Sequence, residues 1–443
     1  MGQNKKRLLS LFSGCGGMDL GFEGGFKVPL VSIGKGQKDW ISKNHGNGWA
    51  TLKETSFQTV FANDIERAAK AAWEPYFKEK RGNSEAVFIH GSIVDLVKAH
   101  KSGEFSFPSD IDIVTGGFPC QDFSVAGKRK GFASHKSHKG ALIEPEMDCP
   151  TEENRGVLYK WMREVIAITL PKMFIAENVK GLVSLPDAQA IISQDFSDVG
   201  GGYHVVSPRV LHAARYGVPQ TRERVIFIGF RKDTLKPGVL EKLQELDTFP
   251  EMDPYPSPTH FLPGDFTSSK KNTALRPFVS VGSVLRDLPE PDLSDDLSHQ
   301  GYSKAKFMGA HCQGQKEINL NLPGPTIRSE HHGNIEFRRL SVEHNGNNTT
   351  ELQNGLAERR LSVRECARIQ TFPDDMEFVR KLDPKDWRKL SITEGYKLVG
   401  NAVPPLLAFN LAKRIETLWD TIFEESVNDN QRELSKERIR ALA

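Results

Sequence analysis

The feature that most restricts this chain is how it begins. An apolar run, KRLLSLF at residues 6–12, breaks directly into a glycine-rich turn, SGCGGMDLGF. A short apolar run bounded by turn residues reads as a buried strand. Glycine tolerates positive φ and has no side chain to block approach, so such a turn can pass close to a ligand. A second apolar stretch, Thr59–Asn63, ends at Asp64, and helical patterning follows through Phe77. Ala86–His90, Ile111–Thr115, Met173–Ala176, Tyr203–Val210 and Val225–Phe230 are further strand candidates, with helical segments such as Gly156–Leu170 between several of them. Strands alternating with helices imply βαβ units in an α/β fold with a mostly parallel, doubly wound sheet.

After Phe230 the texture changes. Residues 231–335 are rich in Pro, Ser, Asp and Gly, and helical spacing returns only from Arg359, in LSVRECARIQ and LLAFNLAKRIETLWDTIF. The chain therefore divides into a larger domain (1–230 plus 356–443) and a smaller, loop-rich second domain (231–355). GKGQKDWISKNHGNGW reads as an inserted loop, Glu343–Gln353 as an exposed loop, and 427–443 as a solvated helix end. The basic lead MGQNKKRLLSLFSG runs into glycines too early for a signal peptide, and no run of 18 apolar residues suggests a membrane span. Five cysteines, at 15, 120, 149, 312 and 366, form no CxxC pair. That spacing speaks against a zinc site or a disulfide framework and for a reducing cytosol. With a net charge of only +2, a nucleic-acid binder would have to concentrate its positive charge locally.

The candidate chemistry lies at strand ends. Asp64 closes the second strand, where an acid can accept hydrogen bonds from a ribose. A plain strand-to-helix turn is the competing reading, and the absence of G-x-G-x-x-G spacing and of a P-loop lysine disfavours NAD and ATP. Gly116-Gly117-Phe118-Pro119-Cys120-Gln121 follows the strand IDIVT, which places Cys120 at a carboxyl end. A lone cysteine is ordinarily a small buried apolar residue, and its thiol, with a pKa of about 8.5, needs a favourable setting to attack. Company changes that reading. Ala176-Glu177-Asn178-Val179 ends the next strand, so Glu177 would face the same crevice. Gln220-Thr221-Arg222-Glu223-Arg224 enters the strand VIFIGF, and arginines two apart in an extended segment share a face.

These segments, FSGCGGMDLGF, GGFPCQDFSVAGKRKGF, AENVKGL, QTRERVIFIGF, RRLSVRECARIQTFPDD and GYKLVGNAVPP, resemble the ordered motifs of the DNA cytosine-C5 methyltransferases, from residue 8 to residue 405. The resemblance implies a Rossmann-like fold that uses S-adenosylmethionine, leaves S-adenosylhomocysteine and needs no metal. It implies that Cys120 adds to C6 of a flipped cytosine, that Glu177 protonates or hydrogen-bonds N3, and that Arg224 holds the base oxygen and orients Glu177, while Arg222 supports the neighbouring backbone or a phosphate. It assigns Phe12, Ser13, Gly14, Gly16, Gly17, Asp64, Ile65, Pro119, Leu158, Asn401 and Val403 to the cofactor pocket. One departure stands out: where the family usually carries an acid for the adenine amino group, this chain has HGSIVDL, leaving Ser92 and Ile93, or Asp95, for that contact.

A target inside a duplex must be flipped out, at a cost of a few kcal/mol. The stretch 127–140, GKRKGFASHKSHKG, carries five Lys/Arg, two His and no acid just after Cys120, and reads as a DNA-facing loop. Gln121, Ser124, Lys128, Arg129, Lys130 and, in LPGPTIRS, Arg328 are the expected DNA contacts; His331 and His332 are further groove candidates. A second basic group comprises Arg359, Arg360, Arg364 and Arg368. The expected partner is duplex DNA, with 231–355 choosing the sequence and a cognate restriction endonuclease acting separately. The expected setting is a monomeric bacterial enzyme in the cytoplasm, free of membranes. A tRNA cytosine methyltransferase and an inactive DNA-binding paralogue are the alternatives. The long variable region argues against the first, and intact Cys120, Glu177 and Arg224 argue against the second.

Overall fold

The computed structural model describes residues 5–119, 158–185, 187–265, 274–329 and 334–424. Seven strands form the main sheet: β1 (Lys6–Leu11), β2 (Phe57–Asp64), β3 (Val87–His90), β4 (Ile113–Gly117), β5 (Met173–Val179), β6 (Tyr203–His212) and β7 (Glu223–Arg231). Their order is β3-β2-β1-β4-β5-β7-β6. All neighbours pair in parallel except β7, which runs antiparallel to both β5 and β6. Every strand expected from the sequence is present, and β5 runs far enough to include Glu177.

Both faces of the sheet are apolar, as a sheet covered by crossover helices requires. Successive side chains point to opposite faces. Leu9 and Leu11 of β1, Phe174 and Ala176 of β5, and Val225 and Phe227 of β7 join one core. That core also holds residues of α3 (Ile93–Ser102), α4 (Leu158–Thr169) and α5 (Ala188–Ser197). Leu8, Met173, Ile175, Ile226 and Ile228 alternate with them into the other core. There they meet α1 (Gly17–Glu23), α2 (Arg67–Glu74) and, from the far end of the chain, α6 (Val363–Ile369), α7 (Ile392–Asn401) and α8 (Pro405–Ile422).

The composition break at residue 231 is not a break in packing. Val279, Val281, Val284, Leu285, Ile318, Ile327 and Ile335 share the α1/α8 core. The chain after β7 runs back along the sheet, with Lys236 N donating to Ile422 O at 2.9 Å and Tyr255 Oη to Ile226 O at 2.9 Å. Regular structure is sparse among the described residues between 232 and 355, as the composition suggests, so we propose 231–355 as a functional region that shares the catalytic core.

Two expectations are corrected. The segment expected as an inserted loop instead supplies the strand Ile41–Asn44 and contributes Trp49 to the strand Trp49–Leu52, which pairs antiparallel with Ile41–Asn44 on one side and with Lys27–Pro29 on the other. The burial of Ala50 and Leu52 against Phe26 and Val28 drives this pairing, and the glycines of HGNG make the turn. Glu343–Gln353 is not a simple exposed loop: it includes most of a 3-10 turn at Val342–His344 and a short helix at Thr349–Gln353, held by Glu351 pairing with Arg338 and Arg339.

The arginines from 359 to 368 also differ from expectation. They are buried and do not form a basic face. Arg359 Nε lies 2.9 Å from Glu290 Oε2, and its Nη1 lies 2.8 Å from Glu365 Oε2. Arg364 Nε pairs with Asp296 at 2.6 Å, and Arg368 pairs with Asp287 and Asp374 at 2.6 Å each. Arg360 donates instead to the carbonyls of Ala305 and Gly314, both at 2.8 Å. Buried guanidinium groups need such partners, because an unpaired charge in the interior is strongly destabilising. These contacts join 287–314 to α6.

Removing one member of a buried pair leaves the other uncompensated. Arg359→Met, which leaves Glu365 only the Arg338 guanidinium at 3.5 Å and the Ser362 N–H, should therefore lower stability by about 3 kcal/mol in urea denaturation; an unchanged midpoint would remove these pairs from the account of how the region is held. Burial pushes the Glu290 carboxyl up, but hydrogen bonds from Arg339 and Arg359 hold it down at about 2, against an ordinary 4.5. A depressed pKa means that its contribution is complete above pH 4.5 and is lost as pH falls toward 2.

Candidate active site

Between β1 and β4 the strand order reverses direction, and at such a switch point the loops leave a crevice at the carboxyl ends of the strands. One wall is the glycine turn after β1. Phe12 sits at φ 51°, a strained conformation for an aromatic residue. Gly14 N donates to Asp64 Oδ2 at 2.8 Å, and Glu66 N donates to Asp64 Oδ1 at 2.8 Å. The turn is thereby tied to the end of β2. Burial raises the Asp64 carboxyl to about 6, although these two backbone donors pull it down. Ile65 beside it is exposed.

One residue not singled out from sequence, Asp19, holds this wall. Asp19, in the first turn of α1, is fully buried and accepts from Ser10 Oγ at 2.6 Å, Ser13 Oγ at 2.6 Å and Trp73 Nε1 at 2.7 Å. Its burial drives its pKa up, and the three donors oppose that. The available signal was an acid inside an otherwise small or apolar motif with two serines just upstream. Gly17 is needed for close approach: a Cβ there would lie 2.3 Å from Val403 O.

The opposite wall is β4, β5 and the entry to β7. Glu177 is 7% exposed. Its Oε1 lies 2.6 Å from Arg224 Nε. A Cβ on Gly117 would come within 2.9 Å of Glu177 Oε2, so the carboxylate faces the end of β4 and occupies room that a side chain there would take. Burial raises the Glu177 pKa; Arg224 and then Arg222 pull it back. Asn178, buried next to it, donates from Nδ2 to Phe118 O at 3.1 Å and fixes the exit of β4. Asn178 was likewise not singled out from sequence, although it stands inside AENV.

The other expected positions fall as follows. Pro119 is half-buried at the end of the described part of that exit. Cys120, Gln121, Ser124, Lys128, Arg129, Lys130, His331 and His332 lie outside the described residues. Leu158 is buried at the first residue of α4 and Ile93 in the same core. Ser92 is the N-cap of α3, its hydroxyl accepting from Val94 N at 3.3 Å. Asn401 is exposed at the end of α7, and Val403 is buried against Gly17. Arg222 is fully buried and donates to main-chain carbonyls. Arg328 donates from Nη1 to Glu336 Oε1 at 2.9 Å, so part of its guanidinium is engaged inside the fold.

The family model described as C-5 cytosine-specific DNA methylase matches residues 6–143 and 147–417. The chain belongs to that family. Among its relatives, this methylase is 31% identical over 414 residues to Type II methyltransferase M.BspRI of Lysinibacillus sphaericus, covering 93% of this chain and 82% of the relative. It is 28% identical over 431 residues to Type II methyltransferase M.NgoFVII of Neisseria gonorrhoeae, covering 95% and 89%. The crystal structure of S. pombe Dnmt2 methyltransferase aligns with a TM-score of 0.50 and 15% identity over 94% of this chain and 99% of that one, a likeness of fold.

The methylase family implies S-adenosylmethionine, and the residues around the glycine turn fit it. A Cβ at Gly14 would meet nothing within 4 Å, leaving its backbone open to a ligand. Asp64 offers carboxylate acceptors for ribose hydroxyls, and exposed Ile65 and half-buried Phe12 offer apolar surface for an adenine.

Were Asp64 to accept from ribose hydroxyls, the anion would be the better acceptor. Affinity for S-adenosylhomocysteine should therefore be full above pH 6 and fall as pH drops below about 6, and Asp64→Asn should bind weakly but without that dependence. Titration calorimetry across pH 5–8 reads both; a wild-type profile flat through that range would remove Asp64 from ribose binding.

Proposed function

We propose that this methylase transfers a methyl group from S-adenosylmethionine to C5 of a cytosine flipped out of a specific duplex DNA sequence, through a covalent bond between Cys120 and C6. The observation that carries this reading is the buried Glu177 carboxylate, gripped by Arg224 and turned toward the end of β4, three residues before Cys120. C5 of cytosine is a poor nucleophile until something adds to the ring. Thiolate addition at C6 moves electron density toward C5. Glu177, its pKa lifted by burial, is suited to carry a proton and hand it to N3, so that charge does not build up on the ring. Arg224 orients that carboxylate and has further N–H groups for the base oxygen. Bound at the glycine turn, S-adenosylmethionine supplies an electrophilic methyl group. Loss of the C5 proton then expels the Cys120 thiolate.

In this reading Phe12, Ser13, Gly14, Gly16, Gly17, Asp64, Ile65 and Pro119 line the cofactor site, with Leu158, Ile93 and Val403 behind it and Asn401 at its rim. Ser92 retains a hydroxyl proton for the adenine side while capping α3. Gln121, Ser124, Lys128, Arg129 and Lys130 meet the DNA, and Arg328 does so only with the N–H groups that Glu336 leaves. Residues 231–355 read the sequence. The Type II names of the relatives support a restriction–modification role; in this reading a cognate endonuclease acts separately and the methylase works as a monomer in the cytoplasm of a bacterium. Among the described residues, no helix is long and apolar enough to cross a membrane.

Cys120→Ala should abolish transfer of labelled methyl groups to DNA while leaving duplex affinity largely intact, and a duplex bearing 5-fluorocytosine at the target should be trapped by the wild type alone. Glu177→Gln should slow turnover by about 10²-fold or more with little change in cofactor affinity. Bisulfite sequencing of DNA from expressing cells locates the site; unmodified cytosines throughout, or equal methylation of tRNA, would overturn the assignment.

A further inference from the structure

Arg222 stands two residues from Arg224, yet it is 0% exposed. Its guanidinium reaches two other parts of the chain. Nη1 donates to Ile327 O at 3.1 Å, and Nη2 donates to Gly400 O at 2.9 Å and Asn401 O at 3.5 Å. Ile327 lies where the 231–355 region returns to the core, and Gly400 and Asn401 end α7. The last carbonyls of a helix lack intrahelical partners and carry the negative end of its dipole, so a cation is well placed there.

The same junction is locked around the arginine. Gln220 Oε1 accepts from Ile327 N at 3.1 Å, and Gln220 Nε2 donates to Gln370 Oε1 at 3.1 Å. Gln370 Nε2 in turn donates to Val399 O at 2.8 Å. A Cβ at Gly400 would lie 2.2 Å from Arg328 O, so the two main chains are in direct contact. On its other side the α7 exit backs the glycine turn: Val403 O abuts Gly17, and Cys15 Sγ donates to Leu398 O at 3.5 Å.

We propose, resting on the function assigned above, that Arg222 is a positioning residue for the S-adenosylmethionine pocket and does not touch DNA. It fixes the α7 exit against the Ile327 segment, and the α7 exit fixes the glycine turn from behind. A motif that looks dedicated to the base and its phosphate thus divides its labour: Arg224 serves Glu177, and Arg222 serves the methyl donor.

The test is Arg222→Lys. Lysine keeps the charge but donates from one compact point and cannot hold a forked set of carbonyls. Calorimetry with S-adenosylhomocysteine, without DNA, should show affinity weakened about tenfold or more. Binding of an unmethylated duplex carrying the mapped site should keep its salt dependence, whereas loss of a phosphate contact would lower the slope of log K against log salt by about 0.9. A general loss of stability would lower the melting temperature but leave the folded fraction binding cofactor normally. If Arg222→Lys does not fold, Gln220→Met, which breaks the adjoining bridge, decides by the same two readouts with a smaller loss. Unchanged cofactor affinity, or a salt slope lowered by about one, overturns the proposal. A wild type that binds S-adenosylhomocysteine but methylates no DNA overturns the assigned function instead.

Discussion

The parallel pairing of Lys6–Leu11 with Ile113–Gly117 is the contact on which the rest depends. These strands are more than 100 residues apart in sequence, and the chain winds away from them in opposite directions along the sheet. Their carboxyl ends therefore open side by side, one into the glycine turn and the other into the motif that carries Cys120. Each half of the chemistry is local: Asp64 and Asp19 hold one turn, Glu177 and Asn178 the other. What makes them one site is that seven backbone-paired strands hold the two turns in fixed register.

Much of this was legible because it follows period and punctuation. Buried strands betray themselves as short apolar runs, and those of β1, β2, β4, β5 and β7 were all recognisable, as were the strand-end positions of Asp64 and Glu177. The small sheet built on Trp49–Leu52 was not, because lysines, asparagines and glycines of its outer strand and turn mask a single alternating face. The fate of the arginines at 359–368 was hidden for a different reason. Apart from Glu365 and Asp374, their partners named above, Glu290, Asp296, Asp287 and the carbonyls of Ala305 and Gly314, lie about 45 to 80 residues away, in a stretch whose composition reads as loop. Four closely spaced cations look the same in sequence whether they face phosphate or the interior.

Asp19 shows the same limit at the scale of one side chain. Although it stands in the first turn of α1, its side-chain donors come from β1, the turn and α2. Trp73 adds a further tie, stacking on Phe77 with ring centroids 4.5 Å apart beneath Gly16. The apparent flexibility of a glycine-rich loop is thus removed by a buried polar cluster whose members are scattered over 60 residues.

The arginines that fasten the 231–355 region grip oxygen atoms of the main chain as well as acids: Ile327 for Arg222, Ala305 and Gly314 for Arg360, Val284 for Arg368. A carbonyl is present whatever residue bears it. Side chains in that stretch other than Asp287, Glu290 and Asp296 can consequently be exchanged without undoing those ties, so its surface is free to vary on an attachment that stays the same.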